Sequence, residues 1–379
     1  MKKVDFIYFD AGGGHRAAAS AVKEVMERQE RPFEIRMVNL QEILDSLDVC
    51  RKATGLGMQD IYNVLLRKGW TLGAAQLLVV MHAAIRAFHG KQVEMLERFW
   101  GESGPDMVVS FIPNFNRALW EGLRRARPHA PLVTILTDIA DYPPHFWIER
   151  QEQYFVCGSD RAETQARETG HAPERIRRVS GMIVSPRFYE AQPMREGERA
   201  ERLRALGLDP GERTGLVLFG GYGAPVMEEI ARRLAGRQLI AICGHNEGLR
   251  RRLRALRRAA PMYVEGFTRD VPRYMQLADY FIGKPGPGSL SEAMFMGLPV
   301  IAERNARTLP QERYNAEWIR ERGAGIVLPG FGNIERAVEE LLEPAAYARF
   351  REAALRSGNR AVFEIPDILE EVLERKVRA

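Results

Sequence analysis

Short apolar runs, each closed by glycine or a polar loop, alternate along the chain with segments of helical periodicity. The run at 4–9 (VDFIYF) leads into Gly12-Gly13-Gly14 and a helical pattern from about 16 to 28. A second run at 33–38 completes strand, helix, strand, a unit that requires a parallel sheet. Helical patterning covers about 59–100, and strands are expected at 107–111, 132–136 and 153–157, with a helix from about Asp160. The stretch SPRFYEAQPMREGERA, at 185–200, is polar and poor in branched aliphatics, so 187–200 reads as a linker after an N-terminal domain of 1–186. A new series follows over 201–345, with strands at 215–219, 238–243, 262–264, 280–282, 299–302 and 325–328. The tail, 346–379, reads as helical with a break at Pro366, and is expected to pack back on the N-terminal domain. The fold class is therefore α/β, with two Rossmann-like domains facing a cleft. Ligands of such sheets sit outside the carboxyl ends of the strands, which suits two substrates, one per domain.

Composition narrows the partners. With 379 residues and 45% hydrophobic, the chain can bury two cores and is not mainly disordered. Basic residues outnumber acidic ones 55 to 50, for a net charge of +5. Only eight are lysines and no basic run is interleaved with aromatics, so no nucleic acid partner is expected. Arg250, Arg251, Arg252, Arg254, Arg257 and Arg258 alternate with Leu249, Leu253 and Leu256 at helical spacing, which reads as a solvated helix face. An anionic membrane surface fits the modest positive excess. Cys50, Cys157 and Cys243 are far apart and odd in number, which argues against a disulfide scaffold or a structural zinc site. The opening MKKVDFIYFD carries Asp5 and no long apolar run, so it does not read as a secretory signal, and reduced thiols in a cytoplasm are expected. The longest uncharged stretch, 69–85, is short for a membrane span. Arg67, Lys68, Arg86 and Lys91 flank it, so a helix lying in a membrane interface and an ordinary buried helix fit equally.

Candidate chemistry gathers at strand ends. Gly12, Gly14 and Ala17 satisfy G-x-G-x-x-A, yet Val38-Asn39-Leu40 places no carboxylate where a dinucleotide's ribose would need one. His15 begins the helix, where partial positive charge favours a neutral imidazole able to act as a general base. The alternative is a capping or core histidine. Asp138, at the end of a strand, could orient such a base, or serve only in an Asx-turn. No His/carboxylate cluster recommends a metal, and no cofactor is expected.

The segment Gly283-Lys284-Pro285-Gly286-Pro287-Gly288-Ser289 ends a strand, and a helix is expected from about Ser289. Backbone N–H groups at such a start bind phosphate oxygens. Lys284 precedes the glycines, so this is not a nucleotide-triphosphate loop. Glu292 could hold both hydroxyls of a ribose, although Ser289-x-x-Glu292 also reads as a capping box. Gly220 and Gly221 form a second glycine turn suited to a diphosphate. Gln311 and Glu312 follow Pro310 at a helix start, where by pattern alone they are an ordinary first turn.

These residues resemble the monogalactosyldiacylglycerol synthase family, within the wider group of the muramyl-peptide N-acetylglucosaminyltransferase. The resemblance spans nearly the whole chain. It rests on Asp10-Ala-Gly-Gly-Gly-His-Arg-Ala-Ala-Ala19, Ile61 to Trp70, Leu136-Thr-Asp138, Ile242 to Asn246, Lys284 to Ala293, and Pro310-Gln-Glu312 with Asn315. It implies a GT-B fold and an inverting transfer of a hexose, galactose or glucose, from a UDP-sugar co-substrate to a lipid alcohol such as diacylglycerol. It implies His15 as the base or an acceptor-site histidine, with Gly13, Gly14, Asn114 and Tyr142 at the acceptor. It also implies Gly220, Gly221, Lys284, Gly286, Gly288 and Ser289 at the donor diphosphate, Glu292 at the ribose, Phe267 at the uracil, and Gln311 and Glu312 at the sugar. The family's acceptor and membrane-contact region falls at 55–90, which favours the interfacial helix and a peripheral enzyme on the inner face of the plasma membrane. Where the family commonly shows His-Pro, this chain has Phe111-Ile-Pro113-Asn114. A UDP-sugar 2-epimerase and a non-catalytic nucleotide-sugar-binding module are the alternatives.

Overall fold

A computed structural model describes residues 1–10, 13–45, 74–356 and 358–378. Gly12, Cys50 and the segment 46–73, with the Ile61–Trp70 motif and the start of the apolar stretch, lie outside them. The described residues divide into two compact units: one holds those of 1–45, 74–186 and 359–378, the other those of 187–358.

The first unit is built on six parallel strands: β1 (Lys2–Tyr8), β2 (Phe33–Asn39), β3 (Met107–Ser110), β4 (Leu132–Ile135), β5 (Tyr154–Cys157) and β6 (Ile176–Arg178). Their order is β2-β1-β3-β4-β5-β6. Helices cover both faces, so β3 and β4 are buried at every position rather than at alternate ones, Ser110 and Thr134 included. The helix Gly14–Arg28 buries Ala19, Val22, Val25 and Met26 and packs against the helix Ala361–Arg378. Asn359 anchors the return of the chain. Its Nδ2 donates to the Met182 carbonyl at 2.7 Å, and a Cβ at Gly181 would lie 2.6 Å from its Cγ, so only glycine fits there.

The second unit repeats the plan with β7 (Thr214–Leu218), β8 (Gln238–Ile242), β9 (Met262–Glu265), β10 (Tyr280–Gly283), β11 (Val300–Glu303) and β12 (Gly325–Leu328). All are parallel, in the order β12-β11-β10-β7-β8-β9. In each sheet the chain steps outward on one side of its first strand and then returns to the other side. The reversals fall between β1 and β3, and between β7 and β10. A crevice opens at such points because the loops after the two strands diverge to opposite faces.

Several elements differ from the sequence reading. The stretch read as a linker, 187–200, lies within the second unit and carries the helices Pro186–Glu190 and Glu196–Ala205. Tyr189 packs on Phe295 with ring centroids 4.4 Å apart, and Arg199 donates to the Leu277 carbonyl at 2.8 Å. Its polar look reflects helices that bury few side chains, such as Leu203. The tail does not return as one piece from 346: the helix Pro344–Leu355 buries Phe350, Ala353 and Ala354 in the second unit, and the chain joins the first unit only at Asn359. The helix Ala361–Arg378 runs through Pro366 instead of breaking there. The three-residue strand β6, Ile-Arg-Arg, is too short and too basic to stand out in the sequence.

Candidate active site

The loops at the reversal of the first sheet carry a connected set of side chains. Gly13 caps the helix Gly14–Arg28 at φ +82°, a left-handed conformation that glycine adopts without strain. No side chain caps this end, so its first N–H groups point out unused by the helix. Among the described residues, no heavy atom beyond those of the chain neighbours stands within 4 Å of where a Cβ would project from Gly13 or Gly14. His15, half-buried in the first turn, has Nδ1 2.9 Å from Thr137 Oγ1, on the loop after β4. Loss of hydration pulls its imidazole down to about 4, against an opposing hydrogen bond to the Phe111 backbone. The ring is neutral at pH 7 and keeps a lone pair able to take a proton.

Asp138 follows Thr137, is 6% exposed, and its Oδ2 accepts the Trp147 indole N–H at 2.9 Å. The Trp147 ring, wholly buried, lies 5.9 Å from the His15 ring. Asp138 is thus tied into the wall of the site through Trp147, while the hydroxyl at His15 Nδ1 is Thr137. Sequence reasoning missed both Thr137 and Trp147, because the pattern favoured carboxylates as histidine partners. Asp141 accepts the backbone N–H groups of His145 (2.8 Å) and Trp147 (2.6 Å), which fixes the loop between them. Its burial pushes the carboxyl up despite these bonds. Tyr142, on the same loop, is 38% exposed. Asn114, at φ 69°, has Oδ1 2.7 Å from His82 Nε2, and its N–H donates to the Phe146 carbonyl. His82 belongs to the helix Ala74–Ala87, the end of the uncharged stretch. Leu78 of that helix packs on the cluster containing Leu136, Phe146 and Trp147, while Val79 is 69% exposed. Among the described residues no helix is long and apolar enough to cross a membrane.

The reversal of the second sheet gathers the glycine motifs. The helix Pro287–Phe295 begins two residues earlier than the sequence suggested, with Gly286 as its cap. Ser289 therefore sits inside the first turn and cannot be the N-cap of a capping box; its Oγ donates to the Gly286 carbonyl at 3.4 Å. Pro287 has no N–H, so the amides of Gly288 and Ser289 are the foremost free donors of this helix, and space around Gly288 is open. Lys284 Nζ bonds Glu312 Oε1 at 2.6 Å. A Cβ at Gly286 would lie 3.3 Å from Lys284 Cε and 3.6 Å from Glu312 Oε1, and one at Gly220 would lie 3.6 Å from Lys284 Cε. Gly220, Lys284, Gly286, Ser289 and Glu312 thus line one small cradle from β7, β10 and the turn Pro310–Glu312. Asn315 supports it by donating from Nδ2 to the Pro285 carbonyl at 2.7 Å.

Glu292 lies one turn further along the same helix, half-buried, and burial raises its carboxyl to about 7. The Gly221 carbonyl accepts the His245 backbone N–H at 2.8 Å, and the His245 ring stacks on Phe267 at 4.0 Å and 17°. Gln311 is partly exposed beside Glu312. Among the described residues no group of three or more His, Cys, Asp or Glu side chains is placed to hold a metal.

Sequence comparison adds to this geometry. The chain is 28% identical over 394 residues to the probable monogalactosyldiacylglycerol synthase 3 of Oryza sativa subsp. japonica, covering 96% of this chain and 73% of the relative. It is 28% identical over 406 residues to monogalactosyldiacylglycerol synthase 1 of Arabidopsis thaliana, covering 99% and 72%. The chain resembles the monogalactosyldiacylglycerol synthases throughout. Both relatives are chloroplast enzymes. No family model matches. Among solved structures, MurG of Acinetobacter baumannii aligns with a TM-score of 0.60 at 14% identity, over 98% of this chain and all of that one. A Phytolacca americana glycosyltransferase, UGT2, aligns at 0.58 and 13%, over the whole of both. A UDP-N-acetylglucosamine 2-epimerase aligns at 0.55 and 14%, over 100% and 97%. The fold is GT-B, and it is shared by transferases and epimerases alike.

Proposed function

We propose that this protein transfers a hexose from UDP-hexose to diacylglycerol or a similar lipid alcohol, with inversion at the anomeric carbon. The observation that carries the reading is the placing of His15: it opens the helix Gly14–Arg28 with Nδ1 2.9 Å from Thr137 and its ring 5.9 Å from Trp147, in whose cluster Leu78 of the apolar helix Ala74–Ala87 also packs. The lipid hydroxyl gives its proton to His15 as its oxygen attacks the anomeric carbon. The bond from that carbon to the diphosphate oxygen breaks, and UDP leaves with the electron pair. The amides of Gly288 and Ser289, with Lys284, meet the charge that develops on the departing phosphate. Glu292 would take the ribose hydroxyls, and Glu312 with Gln311 the sugar. Thr137 and Trp147 hold the base and Asp138 in place. Gly13, Gly14, Asn114 and Tyr142 would frame the acceptor. The basic balance of the chain and the apolar helix Ala74–Ala87 support a reaction at an anionic membrane surface, by our reading the inner face of the plasma membrane.

The test is transfer from UDP-galactose and UDP-glucose to diacylglycerol vesicles. His15→Ala is expected to abolish transfer while UDP still binds; unchanged turnover would remove His15 from the mechanism. UDP released without any lipid acceptor would favour an epimerase, whose fold is the same.

A further inference from the structure

We infer that Glu265 is a positioning residue for the nucleobase end of the donor site, holding Phe267 where its ring stacks on His245. This inference rests on the nucleotide-sugar reading above. β9 is an edge strand and ends at Glu265, so the Gly266–Phe267 turn that follows has a neighbouring strand on one side only. It is nevertheless pinned. Glu265 Oε2 accepts the phenol O–H groups of Tyr263 at 2.9 Å and Tyr274 at 2.7 Å, and Oε1 accepts the Gly266 N–H at 2.8 Å. Tyr274 comes from the helix Val271–Leu277. From the helix Glu247–Arg254, Arg250 stands 4.0 Å from Oε1 and passes under Gly266, where a Cβ would lie 3.4 Å from its Nη1. Arg254 Nη2 donates to the Val264 carbonyl at 3.0 Å. One carboxylate thus joins β9 to two helices at the residue where the chain leaves the sheet.

Burial opposes the charge on Glu265, but the bonds from Tyr274, Gly266 and Tyr263 outweigh it and hold the carboxyl below its usual range. Phe267 is 55% exposed, yet its ring lies flat on that of His245, whose backbone N–H donates to the Gly221 carbonyl in the turn after β7. An exposed aromatic face held rigid beside a phosphate-accepting turn is what a flat heterocycle stacks on. The hub sets the backbone from which that face projects, and touches neither phosphate nor sugar.

The test is calorimetric titration of UDP and of inorganic pyrophosphate into the full chain and its variants. Glu265→Gln turns an amide N–H toward either the phenols or the Gly266 N–H, so it cannot reproduce both sets of bonds. It is expected to weaken UDP about tenfold while pyrophosphate is unchanged, and to raise the donor KM with kcat retained. Tyr274→Phe keeps the carboxylate and removes one of its bonds, and is expected to shift UDP in the same direction by about threefold. UDP affinity equal in all three proteins would overturn the inference, as would a joint fall in UDP and pyrophosphate affinity, the mark of a merely structural role. No heat from UDP or pyrophosphate on the unmodified protein would overturn the donor reading, and this inference with it.

Discussion

Glu292→Gln separates what the proposed donor site does for binding from what it does for stability. Burial raises the Glu292 carboxyl from 4.5 to about 7, so ionising it in the folded protein is unfavourable. The sign follows from proton counts. Between 4.5 and about 7 the folded chain holds a proton that the unfolded chain has released, so stability falls as pH rises through that window and is level above it. A shift from 4.5 to about 7 is some 2.5 units, and at about 1.4 kcal/mol per unit it amounts to about 3 kcal/mol as an upper limit. The neutral glutamine keeps the shape and removes the charge. The variant should therefore be more stable than the parent at pH 8, by up to about 3 kcal/mol, and close to it at pH 5. Urea denaturation followed by hydrogen exchange of second-unit peptides reads this directly. A bound ribose would hydrogen-bond the ionised carboxylate, so UDP binding near pH 7 should release protons in the parent and none in the variant, which also binds UDP more weakly. A variant no more stable at pH 8, or one whose gain is the same at pH 5, would refute the reasoning.

Two further outcomes follow from the geometry. With His15 near 4, kcat at saturating donor should stay level down to about pH 5, and a limb centred near the ordinary histidine value of about 6.5 would contradict the desolvated base. Gly244 holds φ +58°, and a Cβ there would stand 2.1 Å from the Gly221 carbonyl oxygen, so Gly244→Ala must push the Gly220–Gly223 turn aside; UDP affinity should drop at least about tenfold in calorimetry, and an unaffected Kd would show that this turn does not contact the donor.

Several strand ends were legible in the sequence because buried parallel strands are mostly apolar runs and three of the candidate loops follow one with glycine: Gly13 after β1, Gly220 after β7, Gly286 after β10. What joins those loops was not legible. Thr137, Trp147 and Glu265 act through partners made near only by the fold, and nothing in their local spacing marks them. The arginine run at 250–258 reads as a solvated face, and Arg251, Arg252, Arg254 and Arg257 are exposed, but three of its members also brace neighbouring backbone. Arg250 braces Gly266, Arg254 holds the Val264 carbonyl, and Arg258 donates to the carbonyls of Ala231, Leu234 and Arg237. Periodicity identifies the helix, and long side chains reach past it. The capping-box reading of Ser289 failed for a local reason: Pro287 suits a first helical position and Gly286 a cap, which moves the helix start two residues upstream.

The order in which the ribosome delivers these pieces has a consequence. The helix Gly14–Arg28 waits for the helix Ala361–Arg378, whose Val362, Ile365, Leu369 and Val372 are fully covered in the finished protein. Between them the whole Arg187–Gly358 unit is synthesised with every strand of its own sheet. The later-made half can therefore mature first, while the earlier one lingers with a greasy flank uncovered until Ala361–Arg378 has been made. A stop codon just before Asn359 would spare β7–β12 and strip the other sheet of one of its outer helices, so such a fragment should aggregate through its oldest residues rather than its newest.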